Sequence, residues 1–213
     1  AVSTPYGKGG VALLRVSGPE AVALCETVFL PAGGERLAAL EARRATYGRI
    51  LAPDERGEWH SVDDGIVTVF RAPASFTGED TVEICCHGGI LLTETVLSAL
   101  FCAGARPAEA GEFTRRAFLN DKMDLIEAEA VIDLIDSETE LSARNAAEQM
   151  GGALGREIGR ISSELTAIAA EFYAFVDYPD DEIEQTERDD IASSLYKIAD
   201  DAKSLSGTFV KGK

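Results

Sequence analysis

Basic residues are scarce in this chain of 213 residues: 20 lysines and arginines stand against 37 aspartates and glutamates, a net charge of −17. Nucleic-acid affinity draws largely on counterions released by Lys and Arg, so this chain alone is expected to hold phosphate backbones weakly. The imbalance runs throughout, 9 against 15 up to Glu112 and 11 against 22 beyond it. Long apolar runs are absent too, and without one of about eighteen residues no membrane-spanning helix is expected. The four cysteines, Cys25, Cys85, Cys86 and Cys102, include no C-x-x-C pair. That spacing argues against a zinc site and for buried thiols in a reducing cytosol. Internal repeats and low-complexity tracts are missing. The run from Asp177 to Asp190 has eight acids and one base, yet it lacks D-x-D-x-D-G-x₅-E and reads as solvated linker, not a calcium loop. The chain opens on Ala1 and ends on Lys213 in what reads as a linker, so it reads as a piece of a longer protein.

What is present is enough apolar sequence, 46%, to bury a core in one large or two small domains. Gly9 to Val16 reads as a strand, and the segment from Pro19 to Phe29 as a helix with proline near its first turn. Strands from Ala45 and from Asp64 are joined by the polar link PDERGEWHSVD, the pattern of a hairpin. TVEICC follows as a strand, then a helix from Gly88 to about Cys102. Hairpins mixed with crossovers predict an α/β sheet domain over residues 1–116. From there the pattern turns helical. Leu154, Ile158, Ile161, Leu165, Ile168, Phe172 and Phe175 are spaced 4, 3, 4, 3, 4, 3, and Ile191, Leu195, Ile198, Ala202 and Leu205 repeat that spacing. Such seams pack against other helices, so residues 117–213 are expected to form part of an α-helical bundle.

The most informative segment is Phe76 to Gly89, FTGEDTVEICCHGG, with RPAEAGEFTRRAFLNDKMDLIEAEA following from Arg106. In its strand, Val82 and Ile84 face one way while Thr81, Glu83 and Cys85 face the other. An acid in mid-strand has poor β propensity and is costly to bury unpartnered. Together with TPYGKGG at Thr4 to Gly10, RVSGP at Arg15 to Pro19 and DYPDDEI from Asp177, these blocks resemble the MnmE/TrmE family of tRNA-modifying GTPases. The likeness extends over essentially the whole chain; the family's GTPase domain and C-terminal cysteine motif lie outside it.

The resemblance implies a mixed-sheet folate-binding domain, similar to the folate domain of aminomethyltransferases, followed by the first part of the helical domain. It implies that Arg15, Glu83 and Lys122 bind 5-formyltetrahydrofolate as a one-carbon donor. A pterin edge offers two adjacent N–H donors, which suit an acceptor-only carboxylate, and folate oxygens suit Arg and Lys. On residue types and spacing alone, an inter-strand ion pair of Arg15 with Glu83 and a surface Lys122 is the better reading; the resemblance reverses that order. It further implies a cytoplasmic homodimer, an FAD-binding partner, MnmG, and aminomethyl-type modification of wobble uridine C5 in tRNA by the intact complex. GTP, magnesium and potassium would belong to the absent GTPase domain. The alternatives are a dimerisation scaffold with a vestigial pocket, and a free-standing folate-dependent aminomethyltransferase, which the helical half disfavours.

Other motifs carry less. His87-Gly88-Gly89 could receive an anion at a helix start, but a tight turn needing permissive backbone is favoured for the glycines, and the role of His87 stays open. TPYGKGG precedes a strand rather than the helix a phosphate loop requires, and reads as a turn lining the folate pocket or the dimer contact. GTFVKGK at Gly207 to Lys213 matches G-x-x-x-x-G-K by letter and follows a helical seam, so chance explains it better. Arg115 and Arg116 are adjacent and cannot share a face. One is expected to reach the ligand and the other a carboxylate of the bundle, in an order the sequence leaves open.

Overall fold

A computed structural model describes residues 1–177 and 188–209. Most of the DYPDDEI motif and the last letters of GTFVKGK lie outside the described residues. The chain divides into two compact units, Ala1–Met123 and Asp124–Lys213.

The first unit is built on five strands: β1 (Val11–Ser17), β2 (Phe29–Pro31), β3 (Thr46–Pro53), β4 (Trp59–Phe70) and β5 (Thr81–His87). They lie in the order β1-β5-β4-β3-β2, every pairing antiparallel. The helices are α1 (Ala21–Val28), α2 (Ile90–Cys102) and α3 (Glu112–Leu119). The expected sheet domain followed by helices is therefore observed. The β3–β4 hairpin is tighter than its composition suggests, because β4 begins at Trp59 and runs through the polar residues expected to be link. Asp54 closes the turn by accepting hydrogen bonds from the backbone of Arg56 and Glu58, 2.8 and 2.9 Å.

Alternation decides which face of the sheet is core. Val82, Ile84 and Cys86 of β5 join Leu14, Ile50, Val67 and Val69 beneath α1 and α2, where Val22, Cys25, Val28, Val96 and Leu100 are also buried. The opposite face carries a transverse row, Leu13, Cys85, Ile66 and Tyr47, paired strand to strand. All four cysteines are free, and burial pushes the Cys25 thiol up to about 12. Gly88 is required by close approach: a Cβ there would lie 2.7 Å from the carbonyl oxygens of Gly9 and Val11. The TPYGKGG turn is thus stapled to the end of β5, with Gly9 N–H donating to Gly88 O at 2.9 Å.

The second unit holds α4 (Leu125–Ile135), α5 (Glu140–Met150), α6 (Ala153–Asp177) and α7 (Arg188–Phe209). A capping box starts α4: Asp124 accepts from Glu127 N–H at 2.7 Å and Glu127 accepts from Asp124 N–H at 2.8 Å. The division therefore falls after α3, later than the 116/117 boundary expected from composition, because α3 and the turn behind it are bonded to the β4–β5 loop through Arg116–Glu79 and Asn120–Thr77. α6 and α7 are in contact, with Ile198 buried and Arg160 bonding Asp201 at 2.8 Å, while Ile158, Leu165 and Phe172 of the expected seam are exposed. Among the described residues no helix is long and apolar enough to cross a membrane.

Ile84 is fully buried at the centre of the sheet. Ile84→Ala is expected to lower stability by about 3 kcal/mol, read as a shift in the urea unfolding midpoint at unchanged slope.

Candidate functional site

Arg15 and Glu83 stand directly opposite each other across the β1–β5 ladder. Arg15 donates from Nε at 2.8 Å and from Nη2 at 2.5 Å, both to Oε1 of Glu83. Among the described residues Oε2 of Glu83 receives no hydrogen bond. The two side chains keep 25% and 21% of their surface, so the pair is accessible without being freely solvated. The Arg15 guanidinium also lies 5.6 Å from the ring centre of Phe76 and 5.7 Å from that of Phe113.

Lys122 arrives differently. It follows α3, is exposed, and lays its stem against Gly78 of the β4–β5 loop, where an added Cβ would sit 3.1 Å from Lys122 Cγ. Gly78 has φ +78, a further reason for glycine there. No ion pair or hydrogen bond joins Lys122 to Glu83 among the described residues. The structure therefore brings two of the three expected site residues into contact and sets the third on the neighbouring loop. A cavity of about 400 Å³ opens beside Arg15, lined among others by Ser17, Leu97, Leu100, Phe113 and Arg116. Glu83 and Lys122 do not line it.

A polar network ties the loop to α3. Glu112, only 3% exposed, accepts from both terminal nitrogens of Arg106, from Glu109 N–H, and from Nε and Nη2 of Arg116 at 3.0 and 2.7 Å. The remaining Arg116 nitrogen donates to Oε2 of Glu79 at 2.7 Å. Ser17 Oγ donates to the same oxygen at 3.0 Å and lies 2.6 Å from Thr77 Oγ1, which is fully buried. Asn120 donates to Thr77 O at 2.7 Å. Hydrogen bonds from Arg106, then from the Glu109 backbone and Arg116, hold the Glu112 carboxyl well below the usual range.

This resolves the adjacent arginines. Arg116 takes Glu112 and Glu79, while Arg115 pairs with Glu109 at 3.2 Å on the surface. None of these three partners is a bundle carboxylate. His87 is held by Asp63 of β4, which accepts from its backbone N–H at 2.9 Å and meets its Nδ1 at 2.7 Å. Sequence reasoning missed Phe76, Phe113 and Glu79. Phe76 and Glu79 sit inside FTGED and Phe113 inside GEFT, so the blocks were visible, but which ring would face Arg15 was not.

The family model described as "GTP-binding protein TrmE N-terminus" matches residues 1–122, and "MnmE helical domain" matches residues 125–213. The chain belongs to the MnmE/TrmE family. Proteins named tRNA modification GTPase MnmE are similar over its whole length, with 39% identity in Carboxydothermus hydrogenoformans and in Bacillus licheniformis and 40% in Geobacter metallireducens. In each case 100% of this chain aligns with 46% of the relative, so the chain spans about half the length of the curated MnmE proteins it matches.

Because the carboxyl of Glu112 titrates lower in the folded state, its contribution is complete above the ordinary value of 4.5 and is lost as pH falls further. Unfolding midpoints measured from pH 6 to pH 2 should drop steeply below about 4.5. Glu112→Gln should flatten that acid limb and cost about 3 kcal/mol at pH 7, since two arginines lose their shared anion.

Proposed function

We propose that this chain is the folate-holding, dimerising portion of a tRNA modification GTPase. What carries the reading is Glu83: an accessible carboxylate with one oxygen taken by Arg15 and the other unclaimed among the described residues. Two adjacent N–H donors of a pterin edge match such an acceptor, and a cation beside it suits the ligand's carbonyl oxygen. In this reading Lys122, whose stem lies against Gly78 of the β4–β5 loop, receives folate carboxylates. A bound 5-formyltetrahydrofolate would supply the one-carbon unit. The chain's own residues bind and orient it: Glu83 fixes the ring, Arg15 neutralises oxygen, and Phe76 and Phe113 exclude water from the guanidinium face.

The exposed row containing Ile66 and Tyr47 supports pairing with a second copy through the open sheet face, since apolar patches of this kind mark contact surfaces. GTP hydrolysis with magnesium and potassium, cooperation with the FAD-binding MnmG, and C5 modification of the wobble uridine in the cytoplasm belong to the intact protein. A second reading, a dimerisation scaffold with a vestigial pocket, is favoured by the Arg15–Glu83 bond itself, which satisfies both charges without a ligand.

Calorimetric titration with 5-formyltetrahydrofolate separates the two. Saturable binding, weakened at least about tenfold (about 1.4 kcal/mol) by Glu83→Gln and a few-fold by Lys122→Ala, is the expected result; absence of heat leaves the scaffold alone. In a low-salt gel shift the chain by itself should leave tRNA unretarded, as its net charge of −17 requires. Tight retardation would contradict this.

A further inference from the structure

Arginine and carboxylate commonly meet as a fork, each of two nitrogens on its own oxygen. Arg15 does not. Both of its donating nitrogens share Oε1 of Glu83, and this keeps Oε2 available. The orientation of the guanidinium is therefore the variable that opens or closes the acceptor.

Two rings lie within 6 Å of that guanidinium, and they come from different elements: Phe76 from the β4–β5 loop, 5.6 Å away, and Phe113 from α3, 5.7 Å away. Three residues beyond each ring stands a charged group, Glu79 after Phe76 and Arg116 after Phe113, and these two bond at 2.7 Å. On a helix, positions three apart share a face, so Phe113 and Arg116 turn toward the loop together. Arg116 is itself anchored by two bonds to the buried Glu112. The Asn120–Thr77 bond is a second tie between loop and helix: it grips the residue next to Phe76 but leaves the helix at Asn120, seven residues beyond Phe113.

We infer that Arg116 is a positioning residue: by joining Glu79 to Glu112 it sets the separation of Phe76 and Phe113 around Arg15, and so holds the guanidinium in the one-oxygen arrangement that leaves Glu83 open. Without the Glu79–Arg116 tie, Arg15 relaxes toward the fork, occupies both oxygens and competes with the ligand. The inference rests on the folate reading for its ligand but not for its geometry.

The test uses the 213-residue chain with Glu79→Gln as the main variant and Phe76→Leu as the second. Two readouts are needed: the Arg15 Nε–H signal in ligand-free NMR spectra, assigned through Arg15→Lys, and the affinity for 5-formyltetrahydrofolate. Wild type should show an Arg15 signal displaced by ring currents. Glu79→Gln should return it toward the ordinary arginine position and weaken binding about tenfold, with the urea midpoint little changed. Phe76→Leu should reduce the displacement by removing one ring, which identifies the source of the shift, and Arg116→Lys, which keeps the charge but not the link between Glu79 and Glu112, decides the matter if Glu79→Gln fails to fold. An Arg15 signal unmoved in Glu79→Gln and Arg116→Lys overturns the positioning role. A moved signal with unaltered affinity overturns its link to the acceptor. Absence of folate binding by wild type would remove the ligand reading of the previous subsection, while the Arg15 signal still tests the geometry.

Discussion

The register between β1 and β5 is the constraint on which the candidate site depends. Side chains alternate across a strand, so a slip of one residue would carry Glu83 into the core and turn Ile84 outward. The alternation of Val82, Ile84 and Cys86 with Glu83 and Cys85 makes that slip prohibitive, because a lone carboxylate among Leu14, Val67 and Val96 would have no partner. Core burial thus positions the polar pair. Arg15 needs no separate device to find Glu83; the ladder that buries Leu14 against Ile84 places them opposite each other.

A second layer of control acts on the loop and α3. The β4–β5 loop has little apolar anchorage of its own apart from what its ends supply. Its polar side chains turn inward instead: Thr77 is fully buried and bonded to Ser17, and Ser75 donates to Glu79 O at 2.5 Å. Hydroxyls and carboxylates serve here as core does elsewhere, and they bring direction as well as attraction. This is how an eight-residue helix, too short to be stable alone, is fixed beside a sheet edge.

Much of this was legible in the sequence, and unevenly so. Periodicity announced the faces of β5 and the helix α6, since both depend on a spacing that one chain displays. The cap at Asp124 is readable as D-x-x-E before an apolar run, yet composition puts the boundary earlier, because α3 is helical and nothing in its letters says that it is bonded to the β4–β5 loop. The polar start of β4 was hidden for a related reason: Trp59 to Asp63 extend by pairing with β3, a cross-strand pairing that single-residue propensity does not record. Arg15 and Glu83, 68 residues apart, could be named as a pair because both stand on expected strands, and Glu112 lies one helical turn from Arg116, whereas nothing in the local pattern points Arg116 to Glu79 or His87 to Asp63.

The Glu112 cluster has an evolutionary corollary. One carboxylate serves two guanidinium groups and a backbone amide at once, so replacing it takes a partner from three groups, and the half-buried Arg116 has less solvent to turn to than the exposed Arg106. An exchange at Glu112 therefore reaches Arg106, the Glu109 backbone and Arg116 together, while the surface pair formed by the neighbouring Arg115 can change one side at a time.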